Sequence, residues 1–153
     1  MIKEGKIIQS ILVKDIEGNN VDLMTIFRGK ALLIIIYNNQ CLGCTGRGIP
    51  LAYHFQKEYD CLQVVGIHSD FGYKQTTAEE IKSIFTVAEL PFPIYLDEQA
   101  TVFRQFESEG TPQWILITSM GKLYRSIFGS QEGAQNRLDY ALADLMSRTP
   151  HKT

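Results

Sequence analysis

Two cysteines, Cys41 and Cys44, stand three apart in the stretch Asn38-Asn39-Gln40-Cys41-Leu42-Gly43-Cys44. Thiols at that spacing can form a reversible disulfide, contribute to a metal site, or simply pack. The flanking residues separate these possibilities. Ahead of the pair runs Ala31-Leu32-Leu33-Ile34-Ile35-Ile36-Tyr37, an apolar run without alternation. It reads as a strand buried on both faces in the middle of a parallel sheet. Behind the pair the pattern turns helical, with Ile49, Ala52, Phe55 and Tyr59 on one stripe. At a strand-to-helix junction the first thiol meets the unpaired N–H groups that open a helix, which a thiolate can use. The second thiol lies one turn further, close enough to close a disulfide. The chemistry indicated is thiol–disulfide exchange, with Cys41 as the attacking thiol and Cys44 as the resolving one.

The competing readings are weaker. A structural zinc site needs four ligands. There is no second CxxC, and His54, His68 and His151 show no paired spacing, so no metal and no other cofactor is expected. Cys61 opens a second apolar stretch, Cys-Leu-Gln-Val-Val-Gly-Ile-His, and is expected to be a buried, inert thiol. His68 ends that stretch on the side where such sheets place their sites. Without a partner in view it reads as a loop or core histidine rather than a catalytic one. Tyr37 and Trp114 are expected to pack the core. Glu107, Ser108 and Glu109 are expected to form a solvated turn, with a place at the border of a substrate groove as the alternative.

Gross composition bounds the rest. The chain has 153 residues, 44% of them hydrophobic and 21% charged, with a net charge of −2, as suits one domain with a sizeable core. No basic run argues for nucleic acid. No apolar stretch reaches the ~18–20 residues of a membrane span. Residues 1–6 lack the apolar core of a signal peptide. An odd count of three cysteines is a poor disulfide scaffold and fits a reducing compartment with one working pair. A cytoplasmic protein is therefore expected, or an extracytoplasmic one if the chain is a trimmed form.

The remaining elements follow in order. Ile11-Leu12-Val13 and Val21-Asp22-Leu23 flank Glu17-Gly18-Asn19-Asn20, a hairpin signal. Residues 24–27 suggest a short turn. Pro50 should kink the helix behind the cysteines or mark its regular start. Residues 61–68 make a strand parallel to residues 31–37. Thr77-Ala78-Glu79-Glu80 is a capping box opening a helix whose apolar stripe is Ile81, Ile84, Phe85 and Ala88. Residues 92–96 read as a short strand with prolines at its start. Residues 99–106 read as a short helix burying Val102, Phe103 and Phe106. Residues 114–117 read as a strand antiparallel to the central one, and residues 123–128 as its edge partner. A last helix carries Ala134, Leu138, Ala141, Leu142 and Leu145, and a polar tail over 147–153 is expected to fray.

This order resembles the thioredoxin-like fold of the TlpA/ResA-like thiol–disulfide oxidoreductases, in the AhpC/TSA-related redoxin superfamily. The resemblance covers roughly residues 11–145. It rests on the hairpin, the Gly29-Lys30 lead-in, the CxxC, and Ile49-Pro50 behind it. Val65-Gly66-Ile67, Phe92-Pro93-Ile94-Tyr95-Leu96-Asp97, Gly110-Thr111-Pro112 and the Gly121-Lys122 turn continue it. It implies an α/β domain over 1–153 with a central mixed sheet flanked by helices. An N-terminal hairpin extension, residues 1–30, and an inserted strand–helix segment complete it. It further implies a cis bond before Pro112, with Thr111 and Pro112 packing on the dithiol and binding substrate beside Gln40, Leu42 and Gly43. The implied partners are proteins carrying disulfides or dithiols, met by a monomer. The chain departs from the family at Gln40, where Trp is usual, and at Gly43, where Pro is frequent. The family's buried carboxylate is matched only by Ile35 and by the Arg47-Gly48 pair. These departures keep open a second reading, a slow or redox-inactive binding or adaptor domain. A third, a peroxiredoxin-type peroxidase, is disfavoured by Asn38, where that family places Thr.

Overall fold

The computed structural model describes residues 2–71, 76–85 and 89–148. Seven strands form one mixed sheet: β1 (Leu12–Lys14), β2 (Asn20–Asp22), β3 (Ala31–Tyr37), β4 (Leu62–Ser69), β5 (Ile94–Asp97), β6 (Gln113–Ile117) and β7 (Leu123–Phe128), in the order β2-β1-β5-β4-β3-β6-β7. β3 is flanked by β4, parallel in the register Tyr37↔His68, and by β6, antiparallel in the register Ile35↔Trp114. β7 closes that edge against β6. The α/β class, the central place of β3 and the directions of its neighbours all agree with the sequence reading.

Because β3 is covered on both sides, every residue in it is buried. Leu33, Ile35 and Tyr37 face a layer made by α2 (Ile49–Glu58) and α5 (Glu132–Arg148), which contribute Ile49, Ala52, Phe55, Leu138, Leu142 and Leu145. Leu32, Ile34 and Ile36 face Ile8, Ile11, Leu23, Val102 and Phe106 on the other side. No helix among the described residues is long and apolar enough to cross a membrane.

Several local boundaries differ from the sequence reading, each for a visible reason. Leu23 leaves the hairpin to open a one-turn helix, α1 (Leu23–Ile26), because the Asp22 carboxylate accepts the Met24 N–H as its cap and also binds the Ile11 N–H. The helix after Thr77, α3 (Ala78–Lys82), keeps its capping box but ends before Ile84 and Phe85, which pack half-buried against the core. Ala88 lies outside the described residues. Residues 99–106 are not one helix. A 3₁₀ turn (Glu98–Ala100) carries left-handed Gln99 (φ 60°) and Ala100 (φ 57°) before α4 (Thr101–Gln105) begins. The buried Asp97 carboxylate accepts the Val102 and Phe103 N–H groups at 2.7 and 2.9 Å and so restarts the helix. Val102 and Phe106 are buried there, while Phe103 is half-exposed. α5 runs through Ser147 and Arg148, and residues 149–153 lie outside the described residues.

Candidate active site

The chain leaves β3 at Tyr37 and turns over residues 38–40 before the helical cysteine segment. Asn38 closes this turn itself: its Oδ1 accepts the Gln40 N–H at 2.8 Å and its carbonyl accepts the Cys41 N–H at 3.0 Å, an Asx turn. The turn is also tied to its neighbours. Asn38 Nδ2 donates to the Ser69 carbonyl at the end of β4 (2.7 Å), and Asn39 Nδ2 donates to the Glu80 carbonyl in α3 (2.7 Å). The Asn39 backbone N–H donates to Nε2 of His68 at 3.0 Å.

Beyond the turn the first helical turns are wide. Cys44–Gly48 form a π-type turn, closed by the Ile49 N–H on the Cys44 carbonyl, before α2 settles with Pro50 in its first turn. Proline has no N–H to give to the preceding turn, and Gly46 and Gly48 let the backbone widen. Pro50 thus marks the regular start of the helix.

The two thiols are free and differ sharply in exposure: Cys41 is half-buried and Cys44 fully buried. The Cys41 Sγ accepts the Cys44 N–H at 3.2 Å and lies 3.4 Å from the Thr111 carbonyl. Burial, then the adjacent Cys41 thiol, pushes the Cys44 thiol up to about 12; hydrogen bonding from the Asn38 backbone and the Thr111 side chain acts the other way. The Thr111–Pro112 peptide is cis. Pro112 lies over the residues between the thiols: a Cβ built on Gly43 would sit 3.9 Å from Pro112 Cδ, and only 2.7 Å from the Ser130 hydroxyl. Gly43 has φ −66°, open to any residue, so close approach and not backbone strain sets its size.

Where the resemblance looks for a carboxylate the floor is apolar. Gly48 packs directly on Ile35, whose Cδ1 would lie 3.0 Å from a Cβ at that position. Tyr37 brings a hydroxyl to this floor that has no hydrogen-bond partner among the described residues. Burial, with Cys44 second, holds its phenol well above the usual range.

Cys41, Cys44, Gly43, Thr111 and Pro112 thus converge. Gln40 and Leu42 flank them as exposed side chains, Leu42 at 87% exposure. Cys61 lies at the opposite end of β4 from the dithiol and is half-buried rather than fully buried, because it precedes the strand's first buried residue, Leu62. Trp114 is fully buried, its Nε1 donating to the Gly129 carbonyl at 2.8 Å. His68 is 3% exposed. Burial lowers its pKa to about 4, with Asp70 and Glu80 opposing the shift. With Nε2 accepting a hydrogen bond, the neutral ring carries its proton on Nδ1. The roles of Asn38, Asn39 and His68 escaped the sequence reading. The Asn-Asn pair after a strand was a usable turn signal, and an in-register β3–β4 pairing would have placed His68 beside it.

The sequence profile of the AhpC/TSA family matches residues 5–128. The chain belongs to the AhpC/TSA family. Among solved structures, this AhpC/TSA chain is similar to a putative thiol:disulfide interchange protein DsbE from Chlorobium tepidum. The two share 19% identity at a TM-score of 0.79, over 95% of this chain and 99% of that one. It is similar to a thiol-disulfide isomerase from Corynebacterium glutamicum, at 23% identity and TM-score 0.78, over 95% and 98% of the two chains. It also matches a secreted Mycobacterium tuberculosis disulfide oxidoreductase, at 15% identity and TM-score 0.67, over 88% and 96%. These likenesses establish the thioredoxin-like fold. No curated protein matches the chain.

Proposed function

We propose that this protein is a thiol–disulfide oxidoreductase acting on protein partners through Cys41 and Cys44, as a single thioredoxin-like domain. The observation that carries the reading is the asymmetry of the pair. One sulfur is half-exposed and faces a backbone N–H at 3.2 Å, and the other is sealed beneath it. An exchange enzyme needs one thiol that a partner can reach and one that it cannot.

The reaction balances as follows. The Cys41 thiolate attacks one sulfur of a partner disulfide; a Cys41–partner S–S bond forms, the partner S–S bond breaks, and the departing thiolate takes up a proton. Cys44 then loses its proton and attacks Cys41. The Cys41–Cys44 bond forms and the partner leaves as its second thiol. Two electrons pass to the partner, which is reduced, and the protein is left oxidised. The reverse sequence oxidises a partner dithiol. The partner segment lies along Thr111 and Pro112, flanked by Gln40, Leu42 and Gly43, in the manner of a strand added by backbone pairing. Neither step calls on a metal or an organic cofactor, and a monomer suffices. A cytoplasmic location, proposed from the odd cysteine count, is checked by cell fractionation.

Cys44→Ser is expected to accumulate mixed disulfides through Cys41, and Cys41→Ser to accumulate none. Partner trapping read on non-reducing gels makes the comparison. Equal trapping by both variants, or by neither, would exclude this division of roles and favour the inactive-adaptor reading.

A further inference from the structure

The end of the sheet opposite the dithiol is built from two tight turns and the N-terminal segment. Between β6 and β7, Thr118 closes the first turn. Its N–H donates to the Lys122 carbonyl at 2.8 Å, its carbonyl accepts the Gly121 N–H at 2.9 Å, and its hydroxyl accepts the Lys122 N–H at 3.1 Å. Gly121 supplies the left-handed position of that turn (φ 83°), and Met120 is left at the tip, 77% exposed. Residues 5–8 are stitched along it: the Gly5 N–H donates to the Leu123 carbonyl, the Leu123 N–H to the Lys6 carbonyl, and the Ile8 N–H to the Gly121 carbonyl. Ile8 therefore faces the core and Ile7 faces out, 50% exposed. In the second turn the Lys30 N–H donates to the Phe27 carbonyl at 3.1 Å, and Ile26, at the end of α1, is 48% exposed. Both turns and the N-terminal segment line one concavity of about 200 Å³, with Ile7, Met120, Arg28 and Lys30 around it.

Charge gathers on the same rim. Lys6, Arg28, Lys30 and Lys122 are all exposed, and among the described residues no carboxylate pairs with any of them. The acids close by are engaged elsewhere. Glu4 pairs with Arg125 at 3.3 Å, and the Asp22 carboxylate binds the Ile11 and Met24 N–H groups. Asp60, just ahead of β4, opposes only one of the four positive charges. This end is thus positive in a chain whose net charge is −2.

We propose that this end of the domain is a docking surface for an anionic lipid membrane, with Ile7, Ile26 and Met120 entering the headgroup layer and Lys6, Arg28, Lys30 and Lys122 meeting the lipid charges. The arrangement favours lipid over a folded partner. A protein interface needs about 800 Å² of contiguous complementary surface on each side, whereas here the apolar groups are separate tips set among cations. A lipid interface closes around each tip singly and takes the charges at headgroup level. Because hydrogen-bonded turns carry the tips, little order has to be gained on docking. The seven residues of β3, at ~3.3 Å each, put the dithiol about 20 Å from this end. A docked molecule therefore holds Cys41 away from the membrane and open to partners, and the surface does not depend on what the dithiol does.

The test is co-sedimentation of the whole chain with vesicles of phosphatidylcholine alone or with about one-third phosphatidylserine. Binding is expected on the mixed vesicles, at least about tenfold weaker on phosphatidylcholine, and reduced when salt rises from about 0.1 M to about 0.5 M. Each cation near an anionic surface contributes about fivefold in partitioning, so the double variant Arg28→Glu/Lys30→Glu should lose more than about twentyfold. Met120→Ser should lose about threefold, through the apolar contact alone. All three positions are exposed, so the fold is kept. No binding to either vesicle, equal binding to both, or a double variant that sediments like the wild type would overturn the inference. Full binding by Met120→Ser would also overturn it, by leaving charge capture without insertion. Retention on a polyglutamate resin without vesicle binding would assign the patch to an acidic protein and overturn it as well.

Discussion

His68 makes stability depend on pH in a defined window. Its imidazole is buried and lowered to about 4, against 6.5 for a free histidine. Above 6.5 the folded and unfolded chains both hold it neutral. Below that value the unfolded chain binds a proton that the folded chain refuses, so stability falls as pH falls; below about 4 both forms are protonated and the loss stops. A gap of about 2.5 units at ~1.36 kcal/mol each amounts to about 3 kcal/mol over the whole window. That is a large share of the ~5–15 kcal/mol that holds such a domain together. The assay is urea unfolding of the wild type and His68→Gln between about pH 7 and about pH 4.5, where the wild type should lose about 2–3 kcal/mol more than the variant. Asp97, whose carboxyl is raised by burial, contributes with the opposite sign, but equally in both proteins, and cancels in the difference. Parallel stability curves would refute the reasoning, since they would mean that the imidazole titrates alike in the folded and unfolded chains.

Two further substitutions test the packing that carries the site. A Cβ at Gly66 would meet Phe92 at 3.0 Å and Ile94 and Tyr37 at 3.3 Å; these three are all buried. Gly66→Ala should therefore cost about 1–3 kcal/mol by chemical denaturation. Trp114→Phe removes the donor to the Gly129 carbonyl and leaves a void in the core, for an expected loss of about 2–4 kcal/mol in the same assay.

The frame was legible in the sequence because its signals are one-dimensional. Seven consecutive buried residues in β3 reflect a strand covered on both faces, and that pattern survives without any knowledge of what covers it. The stripe Ala134, Leu138, Ala141, Leu142 and Leu145 is all buried in α5 for the same reason. Thr77 and Glu80 close their capping box locally, over three residues. What was misread depended on contacts from outside the segment. Nothing between Gln99 and Phe106 announces a break, because the group that restarts the helix after Gln99 and Ala100 is the buried Asp97 carboxylate, binding two N–H groups five and six residues on. Leu23 looked like a strand residue because Asp22 reads as an ordinary polar alternation until it is seen accepting from Ile11 and Met24.

The site divides along the same line. Cys41 and Cys44 were legible because the spacing and the strand–helix junction are both local. Their inequality was legible only in part. That the second thiol lies a turn inside follows from helical geometry, but what lies around the pair does not: Thr111, whose carbonyl is 3.4 Å from the Cys41 Sγ, comes from a segment 70 residues away, and the Asn38 backbone, which lowers the Cys44 thiol, has no letter in the sequence. A comparison of side chains at Ile35 and Gly48 therefore registers a missing carboxylate and stops there. In the fold, backbone hydrogen bonding at Asn38 lowers the Cys44 thiol against the rise that burial imposes. A backbone donor stabilises a thiolate without being able to take its proton. The resolving step should therefore respond to pH through Cys44 itself. A carboxylate at position 35 or 48 would add a second titration to that profile. Its absence makes a single-site pH profile for resolution of a mixed disulfide on Cys41, followed by release of the second thiol, the expected signature of this arrangement.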